Sequence, residues 1–210
     1  MNYKNKIDFT NLKVGASKND ISYLCERAQR NGYYSVCVNP THVKHARQCL
    51  RNSEVKVCTV IGFPLGANTL SSKLKDVETA YHYAVDEFDL VPNFSKFYDG
   101  DFTSFVNDIT MIKKATRGRV LKVILETSLF YETQITQLAT LAMAGGADYL
   151  KTSTGTIQEL FTEKIKTICD LLELTQGTNV KIKASGGIDG SHIEQLINLG
   201  VHRIGTSKEV

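Results

Sequence analysis

Short runs of β-branched and aromatic residues alternate along this chain with longer stretches in which apolar residues recur every three or four positions. The short runs fall at Ile7–Leu12, Tyr34–Asn39, Lys56–Gly62, Glu87–Asn93, Leu121–Thr127, Tyr149–Thr154, Val180–Ser185 and His202–Ser207. Each has the length and composition of a buried strand. The longer stretches are helical in period. Ile21, Leu24, Cys25 and Ala28 share one face, with Ser17 and Asp20 as a capping box before them and Gly32 as a stop after them. Ile135, Leu138, Ala139 and Ala142 repeat the pattern up to Gly145. Ile193, Leu196 and Ile197 repeat it between a cap at Ser191 and Glu194 and a stop at Gly200.

Strands separated by helices pair in parallel through right-handed crossovers. Eight such units predict an α/β fold, a closed (β/α)8 TIM barrel in a single domain over residues 1–210, in preference to an open parallel sheet. The barrel is expected to be compact, because the chain is shorter than the ~250 residues usual for this architecture. The eighth strand ends near Ser207 and the chain at Val210, so the eighth helix is expected to be truncated or absent.

Composition narrows the function classes. Apolar residues make up 42% of the chain and charged residues 22%, as in a soluble globular protein. No apolar run approaches the ~18 residues of a membrane span, and Met1-Asn-Tyr-Lys-Asn-Lys6 has no signal-peptide pattern. The net charge of +3 is spread among both signs, which argues against nucleic-acid binding and leaves room for a small anionic ligand. The five cysteines show no CxxC spacing, and His42 and His45 have no acidic or cysteine partner nearby. The expectation is a reduced, cytoplasmic protein with no metal site and no cofactor.

Barrel strands place alternate residues on the interior and on the helix layer, and catalytic side chains come from the C-terminal ends of several strands. Aliphatic residues mark the helix side, so Tyr149, Lys151 and Ser153 share the interior face of the sixth strand, and Lys183 and Ser185 that of the seventh. Asp89, Val91 and Asn93 face inward from the fourth. Asp8 and Thr10 come from the first, Ser35, Cys37 and Asn39 from the second, and Lys122, Ile124 and Glu126 from the fifth. A lone strand lysine usually snorkels to solvent. Two on consecutive strands, both opposite the aliphatic face, point to a shared pocket. At ~4 Å and an effective dielectric of ~20, two ammonium groups repel by ~4 kcal/mol. That suffices to make one a neutral amine nucleophile near neutral pH. Lys151 is the better nucleophile, with Thr152, Ser153 and Thr154 beside it to support a carbinolamine. Lys183 is then the perturbing charge and a proton relay.

Asp89 reads either as a structural partner of Lys122 or Lys183 or as a general acid/base acting through water on a substrate hydroxyl. Cys37 reads as a small buried residue lining the pocket. Gly186 and Gly187 follow the seventh strand, and Gly205, Thr206 and Ser207 close the eighth. Barrels often bind phosphate at these two loops through backbone N–H groups.

Several segments, in order, resemble deoxyribose-phosphate aldolases. They are Ile7-Asp-Phe-Thr-Asn-Leu-Lys13, Val36-Cys-Val-Asn-Pro40, Val57-Cys-Thr-Val-Ile-Gly-Phe-Pro-Leu-Gly66, Leu121-Lys-Val-Ile-Leu-Glu-Thr127, Tyr149-Leu-Lys-Thr-Ser-Thr-Gly155, Lys183-Ala-Ser-Gly-Gly187 and Arg203-Ile-Gly-Thr-Ser207. The resemblance implies a class I, metal-free aldolase that reversibly cleaves 2-deoxy-D-ribose 5-phosphate to glyceraldehyde 3-phosphate and acetaldehyde. It implies that Lys151 forms the Schiff base, Lys183 relays protons and Asp89 acts on a substrate hydroxyl. Asp8, Thr10, Cys37, Lys122 and Thr152 fall at the substrate, and Gly155, Gly186, Gly187, Gly205, Thr206 and Ser207 at its phosphate. A homodimer is the assembly it suggests. The chain departs from the family pattern at Phe9, where histidine is usual, and at Thr156, where the motif continues with glycine or lysine. Asp189 stands where arginine is common, and Lys208 where a small residue is. Two other readings fit the residues: a lysine-dependent aldolase for a different sugar phosphate, and a phosphosugar-binding barrel without turnover.

Overall fold

The computed structural model describes residues 3–210. Eight strands, β1 (Ile7–Asn11), β2 (Ser35–Val38), β3 (Lys56–Ile61), β4 (Glu87–Leu90), β5 (Val120–Ile124), β6 (Tyr149–Lys151), β7 (Lys181–Ser185) and β8 (Arg203–Thr206), pair in sequence order. All pairings are parallel, and β8 returns to β1 to close the barrel. The helices are α1 (Lys18–Asn31), α2 (Val43–Cys49), α3 (Leu70–His82), α4 (Phe94–Tyr98), α5 (Phe102–Ala115), α6 (Glu132–Ala144), α7 (Phe161–Leu174) and α8 (Gly190–Asn198). They fill the seven connections, α4 and α5 sharing the one between β4 and β5. Among the described residues no helix follows β8, as expected, and no helix is long and apolar enough to cross a membrane.

The α1 cap forms as the sequence indicates: the Ser17 hydroxyl accepts from the Asp20 amide, the Asp20 carboxylate accepts from the Ser17 amide, and Gly32 closes the helix at φ +68°. The start of α8 differs. Asp189, not Ser191, is the N-cap, its carboxylate accepting from the Ser191 amide at 3.1 Å. Aspartate caps as well as serine, and it stands two residues earlier. Strands β4, β5 and β6 stop at Leu90, Ile124 and Lys151 rather than Asn93, Thr127 and Thr154. Pro92 has no N–H to extend the ladder. Glu126 turns the chain with φ +50°. The Ser153 hydroxyl bends the third loop by accepting from the Gly155 amide at 2.9 Å.

The main apolar core lies between barrel wall and helices. Val36, Val38, Phe88, Leu90, Val123, Leu150, Ile182 and Ala184 project outward onto the buried faces of the helices, Ile21, Leu24, Cys25 and Ala28 of α1 among them. Each large side chain buried there is worth about 1.5–3 kcal/mol. The barrel interior is of another kind. Asp8, Ser35, Glu87, Asp89, Lys122, Lys151, Lys183 and Arg203 are all buried inside it. Charges at such depth cost several kcal/mol each unless paired, so their arrangement has to be a network.

The loop after β3 reaches back over the mouth of the barrel. Lys73 of α3 is buried and donates to the carbonyls of Gly66 (2.7 Å) and Val91 (2.9 Å). Burial pushes its ammonium down to about 8. A Cβ on Gly66 would stand 1.9 Å from the Pro92 carbonyl, so only glycine lets this loop pack on the end of β4. The clasp fixes Phe63 at the mouth.

Candidate active site

Strand register brings the interior charges together. Lys151 of β6 is the direct partner of Lys183 on β7, and Asp89 of β4 that of Lys122 on β5. The Lys151 and Lys183 ammonium groups both donate to one oxygen, Asp89 Oδ2, at 2.8 Å each. The other oxygen, Asp89 Oδ1, accepts from Lys122 at 2.9 Å and from the Cys58 thiol at 3.2 Å. Lys183 also lies 2.6 Å from Asp8 Oδ2. Asp8 Oδ1 accepts from Arg203 (2.8 Å) and from the Ser35 hydroxyl (2.6 Å). Glu87 Oε2 lies 2.7 Å from Lys122 and accepts from Arg203 at 3.2 Å. Gly205 makes room for all this, since a Cβ there would press on Lys183 Cε at 3.1 Å.

Four cations (Lys122, Lys151, Lys183, Arg203) therefore meet three carboxylates (Asp8, Glu87, Asp89) in one contact network. Burial alone would raise Asp8 and Asp89. The cations overturn that and hold both below the usual carboxylate range: Lys183, Arg203 and Lys122 for Asp8, and Lys122, Lys151 and Lys183 for Asp89. Burial likewise works against the charges of Lys122 and Lys183, and the acids outweigh it, so both ammonium groups are held above the ordinary lysine value. Lys151 has the fewest carboxylate neighbours, one, where Lys183 has two and Lys122 three. The two lysines thus share an interior, but not as a bare repelling pair, because the Asp89 carboxylate stands between them.

Above the network a cavity of about 350 Å³ opens at the C-terminal ends of the strands. Lys151 and Lys183 form its floor, Thr10 and Phe63 contribute to its lining, and Gly155, Gly186, Gly187, Gly205, Thr206 and Ser207 form a glycine-rich wall. That wall depends on close backbone approach. Gly186 has φ +85°, and a Cβ on it would meet the Ser153 hydroxyl at 2.4 Å. Asp189 and Lys208 flank the wall, joined at 3.1 Å. The Ser191 hydroxyl and then Lys208 hold the Asp189 carboxyl down to about 2. The cation that Lys208 brings is thus taken up by the acid at Asp189. A second cavity, of about 230 Å³ between α6 and α7, includes Glu132, Glu159 and Glu163 in its lining and none of the network lysines.

Of the residues expected at a substrate, Thr10 lines the main cavity. Asp8, Cys37, Lys122 and Thr152 do not, and all four are fully buried. Asp8 and Lys122 lie behind Lys183 and Asp89. Thr152 has its hydroxyl committed to β7, donating to the Ser185 carbonyl and accepting from the Ser185 amide. Cys37 is the register partner of Cys58. The neighbouring Cys58 lowers Cys37, while burial drives Cys58 well up. Cys37, Cys58 and Asp89 are close enough to share a metal ion, but Asp89 already serves three ammonium groups, which repel a further cation. Glu87, Arg203 and Cys58 escaped the sequence reading. Two-residue alternation was the available signal, since Glu87 shares a face with Asp89 and Arg203 shares one with Gly205.

The sequence model of the DeoC/LacD family aldolases matches residues 6–207. Two curated deoxyribose-phosphate aldolases are similar over the whole chain. The one from Mycoplasmoides pirum is 40% identical and 96% covered; that from Brevibacillus brevis is 43% identical and 94% covered. Among solved structures, the deoxyribose phosphate aldolase of Aeropyrum pernix, described as a unique tetramer, superposes with a TM-score of 0.88 at 30% identity, over 97% of this chain and 86% of that one.

Proposed function

The chain belongs to the DeoC/LacD family of aldolases, and from that membership and the buried ion network we propose that Lys151 is its Schiff-base nucleophile, with Lys183 and Asp89 moving protons. The protein is a class I aldolase that reversibly cleaves 2-deoxy-D-ribose 5-phosphate to D-glyceraldehyde 3-phosphate and acetaldehyde. One observation carries the assignment of roles. Of the two network lysines that line the cavity, Lys151 has a single carboxylate contact where Lys183 has two, so it is the one least committed to the ion network.

The neutral Lys151 amine attacks the C1 aldehyde, and the carbinolamine loses water to give an iminium. Loss of the C3 hydroxyl proton lets the C2–C3 bond break, its electron pair flowing into the iminium as glyceraldehyde 3-phosphate leaves. The enamine is protonated at C2, and water hydrolyses the resulting iminium to acetaldehyde and free Lys151. Asp89 is sealed beneath the floor, so its protons pass through Lys183, which lines the cavity, or through an intervening water. Asp8 holds Lys183 in place and Lys122 holds Asp89. Backbone N–H groups of Gly155, Gly186, Gly187, Gly205, Thr206 and Ser207 receive the phosphate. The Thr206 hydroxyl is itself engaged with the Ile188 carbonyl.

The proposal extends to a single barrel domain, a cytoplasmic location and a homodimer, the last resting on family resemblance. Purified protein incubated with 2-deoxyribose 5-phosphate is expected to release acetaldehyde and glyceraldehyde 3-phosphate in equal amounts, and EDTA is expected to leave the rate unchanged. Loss of activity in EDTA with recovery on added zinc would contradict the metal-free route. Binding without acetaldehyde release would favour a barrel that has lost turnover.

A further inference from the structure

Glu87 and Arg203 belong to the ion network but stay away from the cavity. Each is the first residue of its strand, and neither lines the cavity. Resting on the Schiff-base reading of Lys151, we propose that these two residues, which never meet the substrate, set the charge state in which Lys151 rests. They are positioning residues that act by charge through the network.

Two contact chains run from Arg203 to Lys151. One passes through Asp8 (2.8 Å), Lys183 (2.6 Å) and Asp89 (2.8 Å). The other passes through Glu87 (3.2 Å), Lys122 (2.7 Å) and Asp89 (2.9 Å). Both end at the Asp89 carboxylate, the first at Oδ2 and the second at Oδ1, and Oδ2 lies 2.8 Å from Lys151. Arg203 is fixed at the base, its guanidinium carbon 3.4 Å from the Tyr34 ring centroid and its Nη2 3.4 Å from the Tyr149 hydroxyl. A guanidinium does not lose its proton in a protein, so Arg203 is a permanent positive charge. In a water-poor interior such a charge is felt beyond its contacts and is little screened by salt.

The groups facing Lys151 come from every strand. They are Asp8 (β1), Cys37 (β2), Cys58 (β3), Glu87 and Asp89 (β4), Lys122 (β5), Tyr149 on its own strand, Lys183 (β7) and Arg203 (β8). A further buried acid, Glu126, is turned away to the Thr154 amide. Removing Arg203 takes one positive charge from this set and favours the ammonium form of Lys151. Removing the charge of Glu87 does the opposite. Removing both returns the sum to its native value.

The test is the acidic limb of the pH profile of kcat/KM, which reports the free enzyme. Arg203→Met is expected to move the limb up by roughly one pH unit and Glu87→Gln to move it down by a similar amount. The double variant is expected to return near the native midpoint, and Arg203→Lys, which keeps the charge, to stay there. A merely structural role would lower rates without opposite shifts. Midpoints that do not move in folded variants, or that move in the same direction for Arg203→Met and Glu87→Gln, overturn the proposal. If Arg203→Met does not fold by circular dichroism, Glu87→Gln and the double variant decide, because Glu87→Gln leaves the Arg203–Asp8 pair intact. Borohydride trapping of acetaldehyde on Lys151 is run on each variant. Absence of the adduct throughout would refute the Schiff-base reading itself, whereas adducts with unmoved limbs refute only the charge-setting role.

Discussion

Lys151→Ala is expected to lose on the order of 10⁴- to 10⁶-fold in kcat/KM for 2-deoxyribose 5-phosphate, the scale of loss when the nucleophile of a covalent mechanism is removed. The variant should still fold. Asp89 keeps Lys122 and Lys183, so no buried carboxylate is left unpaired. Substrate affinity should change little, because the glycine-lined wall proposed to receive the phosphate does not involve the Lys151 side chain. Calorimetric titration alongside steady-state kinetics separates the two effects. Lys151→Arg is expected to be equally inactive. It restores the cation beside Asp89, but a guanidinium is never a neutral amine and forms no Schiff base. Retained turnover in either variant would move the nucleophile elsewhere.

The second large effect is at Lys183. Lys183→Leu is expected to lower kcat by roughly 10²- to 10⁴-fold through loss of the proton relay. The acidic limb of the pH–rate profile should also move to higher pH. The sign follows from the network. With Lys183 gone, Lys151 is one of three cations facing three carboxylates, so its proton is more firmly held. Lys183→Arg separates the two roles. It keeps the charge, so the limb should stay near its native position, while the rate stays low because a guanidinium does not pass protons at neutral pH. A Lys183→Leu variant whose limb does not move would show that Asp89 screens Lys151 completely from Lys183.

The barrel was legible in the sequence because each strand carries one aliphatic face and each helix an apolar stripe. The same two-residue period places Lys151, Lys183 and Asp89 inside the barrel, where the structure has them. What the period does not contain is contact across the barrel. That Asp89 of β4 would touch lysines of β5, β6 and β7 at once depends on how the barrel closes, and this turned an expected pair of repelling lysines into a carboxylate-bridged triad. Glu87 and Arg203 carry no such mark, because a charge at the first position of a strand ordinarily reaches solvent. Here the closed base of the barrel and the Tyr34 ring leave it no way out. The Thr152 hydroxyl could not be assigned from local pattern either, since its partners are backbone groups of the neighbouring strand. The α8 cap is readable, since Asp189-Gly-Ser carries an acidic cap two residues ahead of Ser191.

The claim that Lys151 is the residue that bonds to substrate is tested most directly by borohydride reduction of the enzyme in the presence of acetaldehyde, followed by peptide mass analysis. The expected result is one reduced ethyl adduct on the peptide carrying Lys151, with Lys122 and Lys183 unmodified and the adduct absent from Lys151→Ala. An enzyme that turns over normally yet carries its adduct on another lysine, or on none, would contradict the account.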